Sequence, residues 1–369
     1  MSDDPAVNPH FFNASLIFMH YCDGSSYSSY RPDPIPRPAD LDASLARIRA
    51  ERGADFFDYE GAPAGAAPAQ IWMRGRANLQ AVVAYLLQNL GMAGAAELIV
   101  SGGSAGGTGV YLGLDYIRGW VPAGMRVAGN PDAGFFLDLP RAGGNDTWYR
   151  DCFAAAAPVW NGSDIASPAC VAANGAEPWK CYLPEYSLPF IETPMLVSNS
   201  PIDMWGLGNI LDLGCIPTMD NKTYNKMTPC DPAHWQLLQQ WFDAFSLRLN
   251  ALLAASPTSR SAFIPSCFVH EINVDYCSGQ SLPNCRGWAK YIVAPSSGTA
   301  GAPTTLQQAT AQWAANLFAN YDAALAAGKR AAAAHAEGRV LAPAAGATTQ
   351  WVDGYRYPNN PSCYYPPGR

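Results

Sequence analysis

One stretch limits the folds open to this chain more than any other: Ser101-Gly102-Gly103-Ser104-Ala105-Gly106-Gly107-Thr108-Gly109. It follows Glu97-Leu98-Ile99-Val100, which reads as a short buried strand. It precedes Val110-Tyr111-Leu112-Gly113-Leu114-Asp115, which reads as the start of a helix. Inside it lies G-x-S-x-G, from Gly102 to Gly106. A serine on a sharp strand-to-helix turn is held in a strained conformation, and only small neighbours permit the turn. The turn lifts the hydroxyl above the sheet, and the new helix aims its unpaired N–H groups at whatever reacts there. The plainer reading is a Gly/Ser-rich loop without chemistry. The strand before and the helix after favour Ser104 as a nucleophile.

The rest of the chain supplies a frame for such a turn. Apolar runs at 15–22, 126–130, 194–199 and 262–268 read as strands. Helical spacing appears at 40–51, strongly at 77–90, and again over 233–254 and 306–338. Residues 62–69 form an Ala/Pro/Gly connector, and the tail over 353–363 is rich in turn formers. Strands alternating with helices predict an α/β fold with a mainly parallel sheet flanked by helices. Two stretches, 140–192 and 205–232, read as disulfide-containing loop insertions, and residues 1–369 read as a single domain.

Composition narrows the function. Apolar residues make up 49% and charged residues only 14%, enough to bury a sizeable core. A net charge of −7 argues against nucleic acid or an anionic membrane surface as partner. No apolar run has the length of a membrane span. The ten cysteines lack C-x-x-C spacing, so disulfides in an oxidising compartment are favoured over zinc or redox motifs. Sequons at Asn13, Asn145, Asn161 and Asn221 agree with that compartment. The start, Met1-Ser2-Asp3-Asp4-Pro5, is not a signal peptide, so a secretory body stands behind a non-secretory beginning.

A serine nucleophile needs a base, and the base an orienting carboxylate. Of five histidines, His10 lies in an N-terminal arm, His20 reads as a core group within a strand, His234 as a helix-capping residue and His335 as a surface residue. His270 stands just past a late strand, where the crevice of an α/β sheet opens. Asp203 also follows a strand end, and Ser104, Asp203, His270 is the chain order of α/β-hydrolases. Asp132 and Asp138 come too soon after the serine and are expected to brace the turn or the crevice rim. Asp212 is a further competitor, and Glu271 adjoins His270 too closely to reach its ring. Ordinary loop polarity is the alternative for Asp203 and His270.

Together these motifs resemble the pectin acetylesterase and Notum family of secreted carboxylesterases. The matching residues are Tyr21-Cys22-Asp23-Gly24-Ser25-Ser26, Arg74-Gly75, Ser101 to Gly107, Asp132-Ala133-Gly134-Phe135-Phe136-Leu137-Asp138, Asn199-Ser200-Pro201-Ile202-Asp203-Met204-Trp205, Ser266-Cys267-Phe268-Val269-His270 and Pro361-Ser362-Cys363-Tyr364-Tyr365. The resemblance implies an α/β-hydrolase-like fold with a Ser104, Asp203, His270 triad and an oxyanion hole that includes the Ala105 N–H. It implies hydrolysis of O-acetyl esters on a polysaccharide such as pectin, without metal or organic cofactor. A fatty-acyl protein esterase of Notum type and a non-catalytic carbohydrate-binding member are the other readings it leaves. Phe135, Phe136 and Trp205 are expected either at the acyl pocket or in the core. The chain departs from the plant pattern His-Cys-Gln at His270-Glu271-Ile272, so the substrate region is not expected to be identical. Family members carry a Gly-Gly-Trp-type oxyanion turn before the Tyr-Cys-Asp-Gly segment. None precedes Tyr21, so the chain reads as a member lacking its N-terminal portion, and the partner of Cys22 is expected in that portion. A short Cys277–Cys285 bridge is a further expectation.

Overall fold

A computed structural model of the chain describes residues 4–6, 8–36, 70–142, 144, 147–161, 167–213, 215, 230–256, 259–272, 292–293, 304–339 and 350–352. The expected helix at 40–51, the connector, the Cys277–Cys285 segment, the C-terminal tail and the sequons at Asn145 and Asn221 lie outside them.

Two short strands, β1 (Ile35–Pro36) and β2 (Gln70–Ile71), pair antiparallel. The main sheet is built from β3 (Glu97–Gly103), β4 (Arg126–Asp132), β5 (Met195–Ser198) and β6 (Arg260–Ile264). A second small antiparallel pair follows, β7 (Ile292–Val293) with β8 (Thr304–Thr305), and β9 (Gln350–Val352) completes the main sheet. The order is β3-β4-β5-β6-β9, and every pairing is parallel. The predicted α/β-hydrolase-like class is what the structure has; the short β9 carries no apolar run that would have announced it.

Strand alternation sorts the core onto two faces. Val127, Met195, Val197, Ala262 and Ile264 belong to one apolar cluster, and Ala128, Leu196 and Phe263 to the other. The first face is covered by α1 (Gly75–Asn89), α2 (Ala105–Trp120) and, beyond the insertion, α6 (Pro232–Ala254). The second is covered by α7 (Leu306–Ala319) and α8 (Tyr321–Ala336), through Trp313, Phe318 and Tyr321. The long helix expected at 306–338 is thus two, broken at Asn320. A Thr305 cap starts α7: its hydroxyl accepts from Gln308 N–H, and Gln308 answers to the Thr305 N–H. Both faces being covered explains the apolar runs Met195-Leu196-Val197 in β5 and Ala262-Phe263-Ile264 in β6.

The insertion after β4 carries α3 (Trp148–Trp160), α4 (Pro168–Asn174) and α5 (Pro184–Ser187), with a Cys170–Cys181 disulfide. Cys215 pairs with Cys230, and Cys267 is disulfide-bonded as well. Cys22 and Cys152 are exposed thiols.

Three expectations fail at the front. Residues 15–22 are not a buried strand: they join no ladder among the described residues and leave Leu16, Ile17 and Phe18 in solvent, Phe18 at 85% exposure. Side chains hold the segment instead, with Tyr27 Oη donating to the Met19 carbonyl and Ser26 N–H to Tyr21 Oη. His20, expected in the core, is therefore exposed. In turn β3, expected to be buried, stands at the border of the sheet among the described residues and is only half-covered.

Candidate active site

The carboxyl end of the sheet gathers Ser104, Asp203 and His270. Ser104 sits between β3 and α2 with φ +53° and ψ −119°, a conformation that L-residues rarely adopt. Its N–H donates to the Asp132 carbonyl at 2.9 Å, which ties the turn to the end of β4. Small residues make the bend possible: a Cβ on Gly102 would meet the Gly106 carbonyl oxygen at 2.5 Å. Ala105 is the first residue of α2, so its N–H is among those that have no acceptor within the helix.

Asp203 and His270 arrive on the loops after β5 and β6. A parallel bridge joins Asp203 to Val269, and Met204 N–H donates to the Val269 carbonyl at 3.4 Å. Ser200 Oγ fastens the same loops by donating to the Cys267 carbonyl. Asp203 is 3% exposed; its Oδ1 accepts from Gly206 N–H at 2.7 Å, and its Oδ2 lies 2.7 Å from His270 Nδ1. The other imidazole nitrogen, Nε2, is 2.8 Å from Ser104 Oγ. Burial by itself would push His270 below its ordinary pKa, but the Asp203 carboxylate, by charge and by hydrogen bond, and more distantly Glu271 and Asp132, drive the net shift upward. A serine, an imidazole and a carboxylate in this line can pass a proton from hydroxyl to base while the acid holds the tautomer.

The competing residues are elsewhere. Asp138 is clamped by Arg150 at 2.9 Å and Tyr186 Oη at 2.7 Å, at the base of the insertion. Arg248 bonds the neighbouring Glu185 at 2.6 Å. Asp212 faces Arg141 at 3.8 Å. His234 serves its helix start, where Asp231 accepts from its N–H, and His335 is exposed on α8. Asp132 braces the serine turn through its carbonyl, as expected.

The three aromatic candidates divide. Phe135 belongs to the core, edge-on to Phe245 at 5.4 Å. Phe136 and Trp205 stand beside the catalytic-type imidazole, with ring centroids 6.2 and 6.3 Å from His270, and Tyr149 closes the cluster against Trp205 at 5.9 Å. Tyr149 escaped sequence reasoning because its insertion has no strand-end landmark. Glu271 was set aside for the wrong question. It does not orient the ring, yet its carboxylate lies against Gly103, the residue before the nucleophile. The departure at His270-Glu271-Ile272 was the available signal.

Comparison with known proteins supplies the family. The pectinacetylesterase family profile matches residues 53–364. Pectin acetylesterase 5 of Arabidopsis thaliana is 27% identical over 292 residues, covering 78% of this chain and 59% of its own length. The palmitoleoyl-protein carboxylesterase NOTUM of Drosophila melanogaster is 26% identical over 282 residues, covering 74% of this chain and 34% of its own. The crystal structure of the Wnt deacylase Notum from Drosophila superposes with a TM-score of 0.61 at 21% identity, over 86% of this chain and 73% of that one, a likeness of fold. The chain therefore spans about three fifths of the length of the pectin acetylesterase it matches, and it belongs to the pectinacetylesterase family.

Proposed function

We propose that the chain is a serine carboxylesterase that removes O-acetyl groups from a polysaccharide. The observation that carries this reading is the unbroken line Ser104 Oγ, His270 Nε2, His270 Nδ1, Asp203 Oδ2, with both contacts under 3 Å. Ser104 attacks the acetyl carbonyl while His270 accepts its proton, and Asp203 stabilises the imidazolium that forms. The Ala105 N–H, at the positive end of α2, receives the developing oxyanion. His270 then protonates the departing sugar alkoxide, and an acetyl-serine remains. Water, deprotonated by His270, hydrolyses that ester and returns the enzyme. Residues 1–369 act as one domain in this reading. The disulfides fit an oxidising, extracellular setting.

A longer acyl chain is the second reading, favoured by the aromatic wall of Phe136, Tyr149 and Trp205 beside His270. Acetate release from acetylated pectin, set beside a series of aryl esters of rising chain length, separates the two. The acetylesterase reading expects the rate to fall as the acyl chain grows. Ser104→Ala is expected to lower release on the order of 10⁶-fold while leaving the unfolding transition in place. Release that survives this change would remove Ser104 from the mechanism.

A further inference from the structure

We propose that a small monatomic anion, chloride in the first instance, binds in a cavity between α1, α2 and the loop holding Tyr27 and Ser28, where Arg76 and Tyr182 receive it. Ser28, Arg76, Gly113 and Tyr116 border that cavity. The Arg76 guanidinium lies over the Tyr116 ring, its Cζ 3.9 Å from the ring centroid. Its Nη2 is buried and has no hydrogen-bond partner in the protein. Tyr182 is the second such residue: it is 2% exposed, and its Oη is also without a partner. The charge of Arg76 and the side chain of Ser28 both act on Tyr182, so the two orphaned groups converge on one place. Buried polar groups left unpaired are costly, a charged one most of all, and in a native protein they point to a bound water or ion.

Chemistry and size select the occupant. Both orphaned groups are donors: a guanidinium has no lone pair to offer, and burial raises the Tyr182 pKa, which keeps its proton in place. The hydroxyl of Ser28 already donates to the Ser25 carbonyl. The cavity lining contains no carboxylate among the described residues. Asp23, against the start of α1, is spent on Ser25, Ser29 and the Gly75 N–H. A water here would find donors for its oxygen but Leu79, Leu112 and Trp120 around its own protons, whereas a halide needs donors only. The volume open to a water-sized centre is about 10 Å³, room for one such body and too little for sulfate, phosphate or a sugar carboxylate. The anion would join α1 to the insertion, since Tyr182 follows Cys181 of the Cys170–Cys181 disulfide and packs on Trp160 at 4.9 Å between ring centroids.

The test follows thermal unfolding of the full chain as chloride replaces gluconate at constant ionic strength, gluconate being too large to enter. Chloride at about ten times its Kd should raise Tm by about 2–4 °C, and the rise should saturate. Bromide should act in the same way, and sulfate should not. A crystal soaked in bromide should show an anomalous peak within hydrogen-bond reach of Arg76 Nη2 and Tyr182 Oη. Arg76→Met keeps the stem of the side chain and should abolish the rise. Tyr182→Phe removes one oxygen, leaves the ring contacts with Phe153 and Trp160 in place, and should reduce it. A Tm indifferent to chloride overturns the proposal, as does a rise that persists undiminished in both variants. Water alone between Arg76 and Tyr182 in the bromide crystal overturns it too.

Discussion

The sheet has two unlike halves. On β5 and β6 every residue is buried, and the faces are sealed by α6 on one side and by α7 and α8 on the other. On β3 none is fully buried, and the segment at 15–22 lies in solvent with its apolar side chains uncovered. The site straddles the boundary. Asp203 and His270 hang from the sealed half, whereas Ser104 ends the half-covered strand. The serine and its base–acid pair therefore stand on parts of unequal robustness, and they can be damaged separately.

The largest effect is expected where the sealed half meets the chemistry. Asp203→Asn should cut kcat/KM by about 10⁴-fold, since the neutral amide favours the wrong imidazole tautomer. The pH profile sharpens the point. His270 must be neutral to act as base, and its pKa is raised above the ordinary 6.5, so kcat/KM of the wild type should rise with pH through an inflection above that value. Removing the Asp203 charge leaves burial as the main influence, and the residual activity of the variant should inflect at lower pH. An inflection that stays in place would mean that another group titrates.

Core truncation separates the halves directly. Phe263→Ala on β6 should cost about 3–5 kcal/mol, because the side chain is fully buried and its cavity cannot collapse. Leu98→Ala on β3 should cost about 1 kcal/mol. Denaturant titration of both variants checks the difference, and equal losses would erase the contrast. Smallest of all, Phe18→Ser should change stability by no more than about 0.5 kcal/mol, as a surface substitution does. A loss of core size there would mean that 15–22 is packed as a strand in solution.

The same contrast explains what could be read from the sequence. β4, β5 and β6 were legible from Val127-Ala128, Met195-Leu196-Val197 and Ala262-Phe263-Ile264, apolar on both faces because helices cover both. The serine turn was legible because its glycines are dictated by contacts such as that of Gly102 with Gly106. His270 and Asp203 followed from chain order and from standing at strand ends. The segment at 15–22 misled because an apolar run is evidence of burial only when a partner covers it; here hydrogen bonds from Tyr27 and Ser26 replace a ladder. Glu271 was hidden for another reason. Its position against Gly103 arises from a contact between a loop and the end of β3, and leaves no periodic trace. The break at Asn320 between α7 and α8 was obscured by a run of alanines that favours helix everywhere.

The bridge between Asp203 and Val269 has a consequence for how the enzyme would fail. It makes base and orienting acid a preassembled unit that does not depend on the border strand. Mild denaturant or modest heating would then uncouple the nucleophile first, because β3 is only half-covered and pairs with β4 alone among the described residues. Inactivation of this kind is an opening of one margin while most of the molecule stays native. Such an opening would reverse on return to permissive conditions, since the Asp203–Val269 bridge keeps the acid–base pair in register.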